Sequence, residues 1–390
     1  MKNKVSILLR LIKHGGDSAI VRLLKRWDGV SLPPSRFAIP MRQAQSALRR
    51  LPRDKRKILE LSARRISEYH KKEKRHITSS WMTSSNGLRL GQRVTPVDSV
   101  GIYVPGGRFA YPSTVLMTAI PARIAGVGRL VMATPPRHMT DDVLAAAVIA
   151  GVDTIYQVGG IAAVGALAYG TESIPRVDLI VGPGGIWVTE AKRQIYGDSG
   201  IDMLAGPSEI VIFADDGASI AHIAADMMAQ TEHDPAAKAY LLSTDPSLIT
   251  AVRNRIEGKY RPQCQFIRVK DMTGAARQIN KLAPEHLSLN MRRPERFLPR
   301  IKNAGAIFLG AFSPVACGDY WAGPSHVLPT GRAARFSSGL SVQTFLKRSS
   351  VIGVSPGLLK REGDRIARFA EMEGLRFHAL SIRTRIAEPK

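Results

Sequence analysis

The segment from which the architecture can be inferred reads Val100-Gly101-Ile102-Tyr103-Val104-Pro105-Gly106-Gly107. Its first five residues are almost all apolar and predict a buried strand, and Pro-Gly-Gly predicts a tight turn. Further short apolar runs, expected as strands at 130–133, 154–158 and 179–181, alternate with turns and helical segments before residue 208. This alternation predicts a parallel sheet that is covered by helices on both faces.

A second α/β set follows the first. Apolar runs at 209–213, 239–242 and 306–309 predict strands, the segments between them have helical spacing, and residues 1–75 predict helices. We therefore assign the chain to the α/β class, with two doubly wound, Rossmann-like parallel-sheet domains. The expected domains are a helical N-terminal region (1–100) that joins residues 209–340, a Rossmann-like domain (101–208) and a C-terminal tail domain (341–390).

Net charge bears on the choice of partner. The 390 residues carry a formal charge of +24, and residues 1–75 hold 21 Lys and Arg against 6 Asp and Glu. A basic helical face of this kind binds phosphate polymers non-specifically at low salt, whatever its role. The region has few aromatic side chains on which bases could stack. The composition therefore argues against nucleic acid as the main partner.

Cysteine usage and hydropathy bear on the compartment. Cys264 and Cys317 form neither a CxxC pair nor a disulfide framework, so we expect a cytoplasmic protein. The longest apolar candidate, residues 143–152, has about half the length that a bilayer requires. We therefore expect no membrane association.

A loop with candidate catalytic side chains follows the strand expected at 306–309. Residues 317–331 are rich in Gly and Pro and contain Asp319 and His326. We expect this loop just past the carboxyl end of the strand, where open α/β sheets bind ligands. The two side chains could hold a metal ion, relay a proton or cap the loop backbone, and spacing alone leaves these alternatives open.

Other polar residues could complete such a site. Gln230 and His233 are three residues apart at the end of a predicted helix, which puts them on one face. Glu285 and His286 follow Pro284 and place an acid beside a base, and His378 follows the last predicted helix. A set of His, Asp and Gln ligands is a mixed N/O set of the kind that zinc accepts. Each histidine taken alone is more typical of a hydrogen-bonded structural residue than of a metal ligand.

Several motifs, taken together, resemble those of the histidinol dehydrogenase family. The resemblance runs from about residue 15 to about residue 380, in the family's order. The motifs are GIYVPGGR (101–108), YPSTVLM (111–117), GPSE (206–209), AQTEHD (229–234), APEHL (283–287), GDY (318–320) and SHVLPT (325–330).

This resemblance implies a homodimeric zinc enzyme that oxidises L-histidinol through histidinal to L-histidine and uses NAD as the hydride acceptor. It implies that 209–340 form a metal and substrate domain, that 101–208 form the cofactor domain, and that the 341–390 tail crosses to the partner subunit. The residues that it implies are the catalytic pair Glu285 and His286, the zinc ligands Gln230, His233, Asp319 and His378, the cofactor contact Tyr103, and further substrate contacts at Ser208, His326 and Glu373; His286 and the zinc ligands would also contact the substrate.

Two positions depart from the family pattern. Ala162 stands where the family usually has Gln, and Gly185 stands where it usually has Asn. Because both positions are cofactor contacts in the family, we also consider a paralogue that oxidises another small polyfunctional alcohol to its acid. A further alternative is a non-catalytic basic protein that binds nucleic acid.

Overall fold

The computed structural model describes residues 1–77, 79–106, 110–232 and 234–387, which fall into two compact units. The first unit comprises residues 1–74 and 97–345, and the second comprises residues 75–96 and 346–390. No helix among the described residues is long and apolar enough to cross a membrane.

The helices, numbered in chain order, are α1 (Lys2–Leu23), α2 (Met41–Arg50), α3 (Arg53–His76), α4 (Pro112–Ala125), α5 (Asp141–Ile149), α6 (Gly160–Tyr169), α7 (Ile186–Ile195), α8 (Ile220–Glu232), α9 (Pro246–Arg255), α10 (Met272–Leu282), α11 (Pro294–Phe297), α12 (Val315–Tyr320), α13 (Pro356–Met372) and α14 (Arg376–Ala387).

The strands are β1 (Ala38–Ile39), β2 (Trp81–Ser85), β3 (Leu88–Pro96), β4 (Ser99–Tyr103), β5 (Arg129–Ala133), β6 (Thr154–Tyr156), β7 (Leu179–Val181), β8 (Gly200–Ile201), β9 (Glu209–Ala214), β10 (Lys238–Ser243), β11 (Cys264–Arg268), β12 (His286–Asn290), β13 (Ala306–Leu309) and β14 (Leu346–Val354).

The first sheet of the first unit has the order β1-β6-β5-β4-β7-β8. Its pairs are parallel except for β1 with β6, which are antiparallel. The parallel part of the sheet starts at the central strand β4, adds β5 and β6 on one side, and then crosses to add β7 and β8 on the other. The earlier strand β1 pairs with the outer side of β6. Ligands of such sheets bind outside the carboxyl ends of the two strands at which the direction reverses, here β4 and β7.

The N-terminal helix belongs to this first sheet. Val5, Leu9 and Ile12 of α1 share a buried cluster with residues of α6 and α7. α1 lies so close to α6 that a Cβ on Gly165 would meet Ile12 Cδ1 at 2.7 Å. We expected the N-terminal region to join residues 209–340. α1 instead packs on α6 and α7, and β1 pairs with β6, because their apolar residues are buried against the first sheet.

The second sheet has the order β11-β10-β9-β12-β13, and all its pairs are parallel. Alternate residues of β9 point to opposite faces: Ile210 and Ile212 enter one buried cluster, and Val211 and Phe213 enter another. Two parallel, doubly wound sheets confirm the predicted fold class.

The second unit contains a small antiparallel sheet in the order β14-β3-β2. β14 pairs with β3 over nine residues, from Leu346 opposite Pro96 to Val354 opposite Leu88. We expected residues 1–100 to be helical, and the β2–β3 hairpin differs from that expectation. β2 is exposed along its whole length, so its sequence lacks the apolar alternation by which a strand is recognised.

Candidate functional site

A cleft of about 980 Å³ lies in the first unit, along the edge strand β13. His286, Asp319 and His326, three of the residues predicted from sequence, line it together. His286 Nδ1 lies 3.6 Å from Glu285 Oε2, and His286 Nε2 lies 3.9 Å from Asp319 Oδ1. The imidazole therefore stands between two carboxylates.

Backbone geometry places Glu285 and His286. α10 ends at Leu282, its C-cap Ala283 adopts a left-handed conformation with φ 48°, and Pro284 then leads toward β12. The neighbouring segment lies so close that a Cβ on Gly305 would meet the carbonyl oxygen of Glu285 at 2.6 Å. The pair is therefore held at the amino end of β12, where both side chains are buried.

Glu285 is held by the turn that precedes β9. Its Oε2 accepts a hydrogen bond from the backbone N–H of Glu209 at 3.0 Å, and the Ser208 side chain also hydrogen-bonds its carboxyl group. Burial, reinforced by the nearby charges of Asp319 and Glu209, raises the pKa of Glu285 to about 8. The group is therefore mostly protonated at neutral pH and ionises as pH rises toward 8, so it can give or take a proton in this range.

This raised pKa predicts how stability depends on pH. The pKa of Glu285 lies above its unfolded value of 4.5, so the stabilisation present at low pH is lost as pH rises toward about 8. Glu285→Gln removes this titration. We expect the melting temperature of the variant relative to the wild type to increase with pH across that window, as measured by thermal denaturation of chelator-treated protein.

The control for this experiment is Glu60→Gln. Glu60 is an exposed carboxylate that pairs with Arg56 on α3. Its substitution should leave the pH dependence of the melting temperature unchanged. Parallel curves for Glu285→Gln and the wild type would contradict the assignment of the raised pKa to Glu285.

Asp319 reaches this site by an unexpected route. We expected it beyond the carboxyl end of β13, but it meets His286, which opens β12 and pairs with Ala306 at the start of β13. The helical turn α12 follows β13 and brings Asp319 back toward the amino ends of the strands. Burial raises the pKa of Asp319 to about 6. The carboxylate is thus partly desolvated and would be stabilised by a cation.

His326 is held by protein contacts at both ring nitrogens. Nδ1 lies 3.2 Å from the backbone oxygen of Asp319, and Nε2 lies 3.2 Å from Thr114 Oγ1. Because a carbonyl oxygen can only accept, Nδ1 carries the hydrogen and Nε2 accepts from the Thr114 hydroxyl. Burial lowers the pKa of His326 to about 4, so the ring is neutral near pH 7. Its contact with substrate stays a prediction, whereas its contact with the backbone of Asp319 is direct.

Gln230 and His233 were predicted to lie beside Asp319. Gln230 is buried near the end of α8, and His233 lies outside the described residues. Two observations place the end of α8 near α12. Val315 of α12 packs against a cluster that contains Met227 of α8. Burial raises the pKa of Tyr320, and the charges of Asp319 and Glu232 add to that rise.

Two residues at the site were not predicted from sequence. Thr114 hydrogen-bonds His326, and Glu209 combines a backbone bond to Glu285 with a carboxylate that accepts from the N–H of Gly331 at 3.1 Å. Both lie inside the quoted motifs 111–117 and 206–209. The polar side chains within these motifs are the sequence feature from which the two residues could have been predicted.

The family model for histidinol dehydrogenase matches residues 1–386. The chain belongs to the histidinol dehydrogenase family. This confirms the family resemblance that the motifs indicated.

Full-length relatives agree with this membership. The chain is 44% identical to histidinol dehydrogenase 2 of Trichormus variabilis, over 98% of this chain and 91% of that protein. It is 46% identical to the histidinol dehydrogenase of Nitrosospira multiformis, over 97% and 89%. The crystal structure of histidinol dehydrogenase from Elizabethkingia anophelis superposes with a TM-score of 0.91 at 30% identity, over 98% of this chain and 92% of that one.

In this member of the histidinol dehydrogenase family, the predicted cofactor contact Tyr103 is buried at the end of β4. Its hydroxyl oxygen accepts a hydrogen bond from the N–H of Gly160, the first residue of α6, at 3.2 Å. Burial raises the pKa of Tyr103 to about 12. The hydroxyl therefore stays protonated and fixes the N-terminus of α6.

The remaining predicted residues, Glu373 and His378, belong to the second unit. Glu373 follows α13 directly, and His378 lies in the first turn of α14. Both are exposed. Their predicted roles as a substrate contact and a metal ligand stay predictions.

Proposed function

We propose that this chain catalyses the zinc-dependent, NAD-linked oxidation of L-histidinol through histidinal to L-histidine. The observation that carries the proposal is the imidazole of His286 between the carboxylates of Glu285 and Asp319 in one cleft. An alcohol-to-acid oxidation needs a base for the hydroxyl proton and a base for the attacking water, and this arrangement offers both.

The residues present fit a zinc ion. Within residues 1–77, 79–106, 110–232 and 234–387, no group of three or more His, Cys, Asp and Glu is gathered closely enough to hold a metal. A bound cation would nevertheless stabilise the desolvated carboxylate of Asp319. Gln230, near the end of α8, offers an amide oxygen as a further ligand. With His233 and His378 these residues would make the mixed N/O set that zinc accepts.

The first sheet fits a dinucleotide. An added Cβ on Gly160 or Gly185, which stand at the starts of α6 and α7, would meet nothing within 4 Å. Open backbone at two helix N-termini suits a pyrophosphate, because the helix dipole and the backbone N–H groups of the first turn favour an anion. The N–H of Gly160 itself is already bound by the Tyr103 hydroxyl, so at α6 the N–H groups that follow it would have to serve. Ala162 is buried and Gly185 has no side chain. The surface beside the starts of α6 and α7 is therefore shaped by backbone atoms at these two positions.

The proposed proton transfers use the two central residues. When bound, zinc supplies a Lewis acid for the substrate's hydroxyl group, and NAD supplies the hydride acceptor. His286 takes the hydroxyl proton during the first oxidation. Glu285, in its ionised form, then takes a proton from the water that adds to the aldehyde. The Ser208 hydroxyl and the Glu209 N–H orient the Glu285 carboxylate for this step.

The direct test is NADH formation from L-histidinol, with zinc and with a chelator. Chelator-sensitive NADH formation at two NADH per L-histidinol supports the proposal. Turnover of other amino alcohols without turnover of L-histidinol would replace it with the paralogue. No turnover of any alcohol, together with salt-sensitive retention of DNA, would replace it with the non-catalytic basic protein. The cytoplasmic location predicted from cysteine usage stays a prediction.

We also propose that the chain acts as a homodimer whose tails are exchanged. Within the second unit, Phe369, Met372 and Phe377 of α13 and α14 are 64%, 82% and 74% exposed. Large apolar side chains that are exposed on two successive helices favour a surface that is covered in the functional state. A second copy of the chain is the occupant that the family membership supports.

A mixing experiment tests the exchange. His286→Ala and His378→Ala protomers should each be inactive alone. In an exchanged dimer, one site of each mixed dimer has both His286 and His378, so random exchange should restore about a quarter of wild-type activity. Mixtures that stay inactive after verified subunit exchange would show that His378 serves its own chain. His222→Ala, a substitution of an exposed histidine on α8, provides the control for mixing.

A further inference from the structure

A buried ion pair holds one peptide of the first sheet. Lys192 of α7 pairs with Asp202, which follows β8, and their side chains are 3% and 0% exposed. Lys192 Nζ donates to the carbonyl oxygen of Gly182 at 3.0 Å, and Asp202 Oδ2 accepts from the N–H of Gly182 at 2.8 Å. Both backbone polar groups of Gly182 are therefore bound by the two members of one ion pair.

The position of Gly182 shows which segment of the sheet this ion pair holds. Gly182 follows β7 directly and begins the turn that ends at Gly185, the N-cap of α7. Its φ is 111°, and a Cβ there would meet the carbonyl oxygen of Tyr103 at 2.2 Å. The turn thus lies against the end of β4, at the point where the strand order of the sheet reverses. Small displacements of Gly182 would move the open backbone at the start of α7.

Stability alone is a weak reason for a buried ion pair. Removing two charges from water costs several kcal/mol per ion, and apolar side chains of the same volume are often equally stabilising. What the pair does offer is orientation, because a cation and an anion bind the two ends of the same peptide. Asp202 Oδ1 also accepts from the N–H of Met203 at 2.7 Å, which fixes the carboxylate itself.

We infer that Lys192 and Asp202 are positioning residues that hold the turn 182–185 in the shape needed to bind the pyrophosphate of a dinucleotide. This inference rests on the proposed use of NAD. It concerns residues outside the predicted catalytic, metal and cofactor contacts, and they act through the backbone of Gly182 rather than by touching the ligand.

The test uses the double variant Lys192→Met with Asp202→Asn in the full-length, zinc-loaded protein. Changing both residues avoids leaving one buried charge unpaired, which would strongly destabilise the fold. We expect faster amide hydrogen exchange at residues 182–186, with unchanged exchange in the second sheet. The Kd for NAD measured by calorimetry should rise about tenfold, the effect of losing one hydrogen bond to a charged group. The KM for L-histidinol should be unchanged.

The matched control is Lys13→Met, because Lys13 pairs with Asp198 at the surface, where the two side chains are 49% and 45% exposed. It should change neither exchange nor NAD affinity. An unchanged Kd for NAD in the double variant overturns the inference and leaves the proposed function intact. Faster exchange throughout both sheets, with weaker binding of both ligands, overturns it in favour of a structural role. Absence of NAD binding to the wild type overturns the inference together with the cofactor assignment.

Discussion

We expect His286→Ala to lower kcat by about 10²- to 10⁴-fold, the range over which a positioned general base contributes to rate. The imidazole lies within 4 Å of two carboxylates and takes the hydroxyl proton in the proposed mechanism. The zinc content, measured by mass spectrometry of the purified protein, should equal that of the wild type. The substitution thus separates the loss of proton transfer from the loss of the metal.

His222→Ala is the matched control for this experiment. His222 is an exposed histidine on α8 whose ring contacts Phe312, and it is not among the residues assigned to chemistry. Its variant should keep both kcat and zinc. Loss of zinc from His286→Ala would move His286 into the metal-binding set, and an unaltered kcat would remove it from the mechanism.

Asp319→Asn should lose both turnover and metal. The substitution keeps the size of the side chain and removes the negative charge, so a bound cation loses its only predicted carboxylate ligand. Substituting an outer partner of a metal ligand typically costs about 10–100-fold in metal affinity, and the loss of the ligand itself should exceed that. Competition with a zinc-responsive dye measures the effect.

The same variant should show the opposite effect on stability. Burial raises the pKa of Asp319 to about 6, above the unfolded value of 3.8. The stabilisation present at low pH is therefore lost as pH rises through 6, and ionised Asp319 destabilises the metal-free fold. Chelator-treated Asp319→Asn should accordingly melt above the wild type at pH 8. Asp216→Asn, at an exposed loop carboxylate, is the control, and a lower melting temperature for Asp319→Asn would contradict the burial argument.

The two parallel sheets were predictable because each central strand is a short apolar run that ends in a turn. Residues 100–104 and 209–213 have this form, and they became β4 and β9. A strand that is buried on both faces consists almost entirely of apolar residues, so its position can be predicted from composition. β2 is exposed along its length and is not an apolar run, so its sequence does not predict a strand. The hairpin is recognised only from the pairing of β2 with β3 in the structure.

The site was predictable in part. Adjacent residues such as Glu285 and His286 must lie together, and the motifs indicated Asp319. The route by which Asp319 returns to the amino ends of the strands depends on Val315 of α12 packing against the buried cluster that contains Met227 of α8, and no local pattern encodes such a long-range contact. The role of Lys192 and Asp202 was hidden for the same reason, since it depends on a peptide that lies 10 and 20 residues away in sequence.

The nine-residue ladder between β3 and β14 has a consequence for synthesis on the ribosome. β3 ends at Pro96 and β14 begins at Leu346, so about 250 residues must be translated after β3 before the two strands can pair. A two-stranded hairpin is marginal by itself, so β2 and β3 would leave an open strand edge in the nascent chain. Arg89 and Arg93 place positive charges on that edge, which disfavours its pairing with other nascent chains.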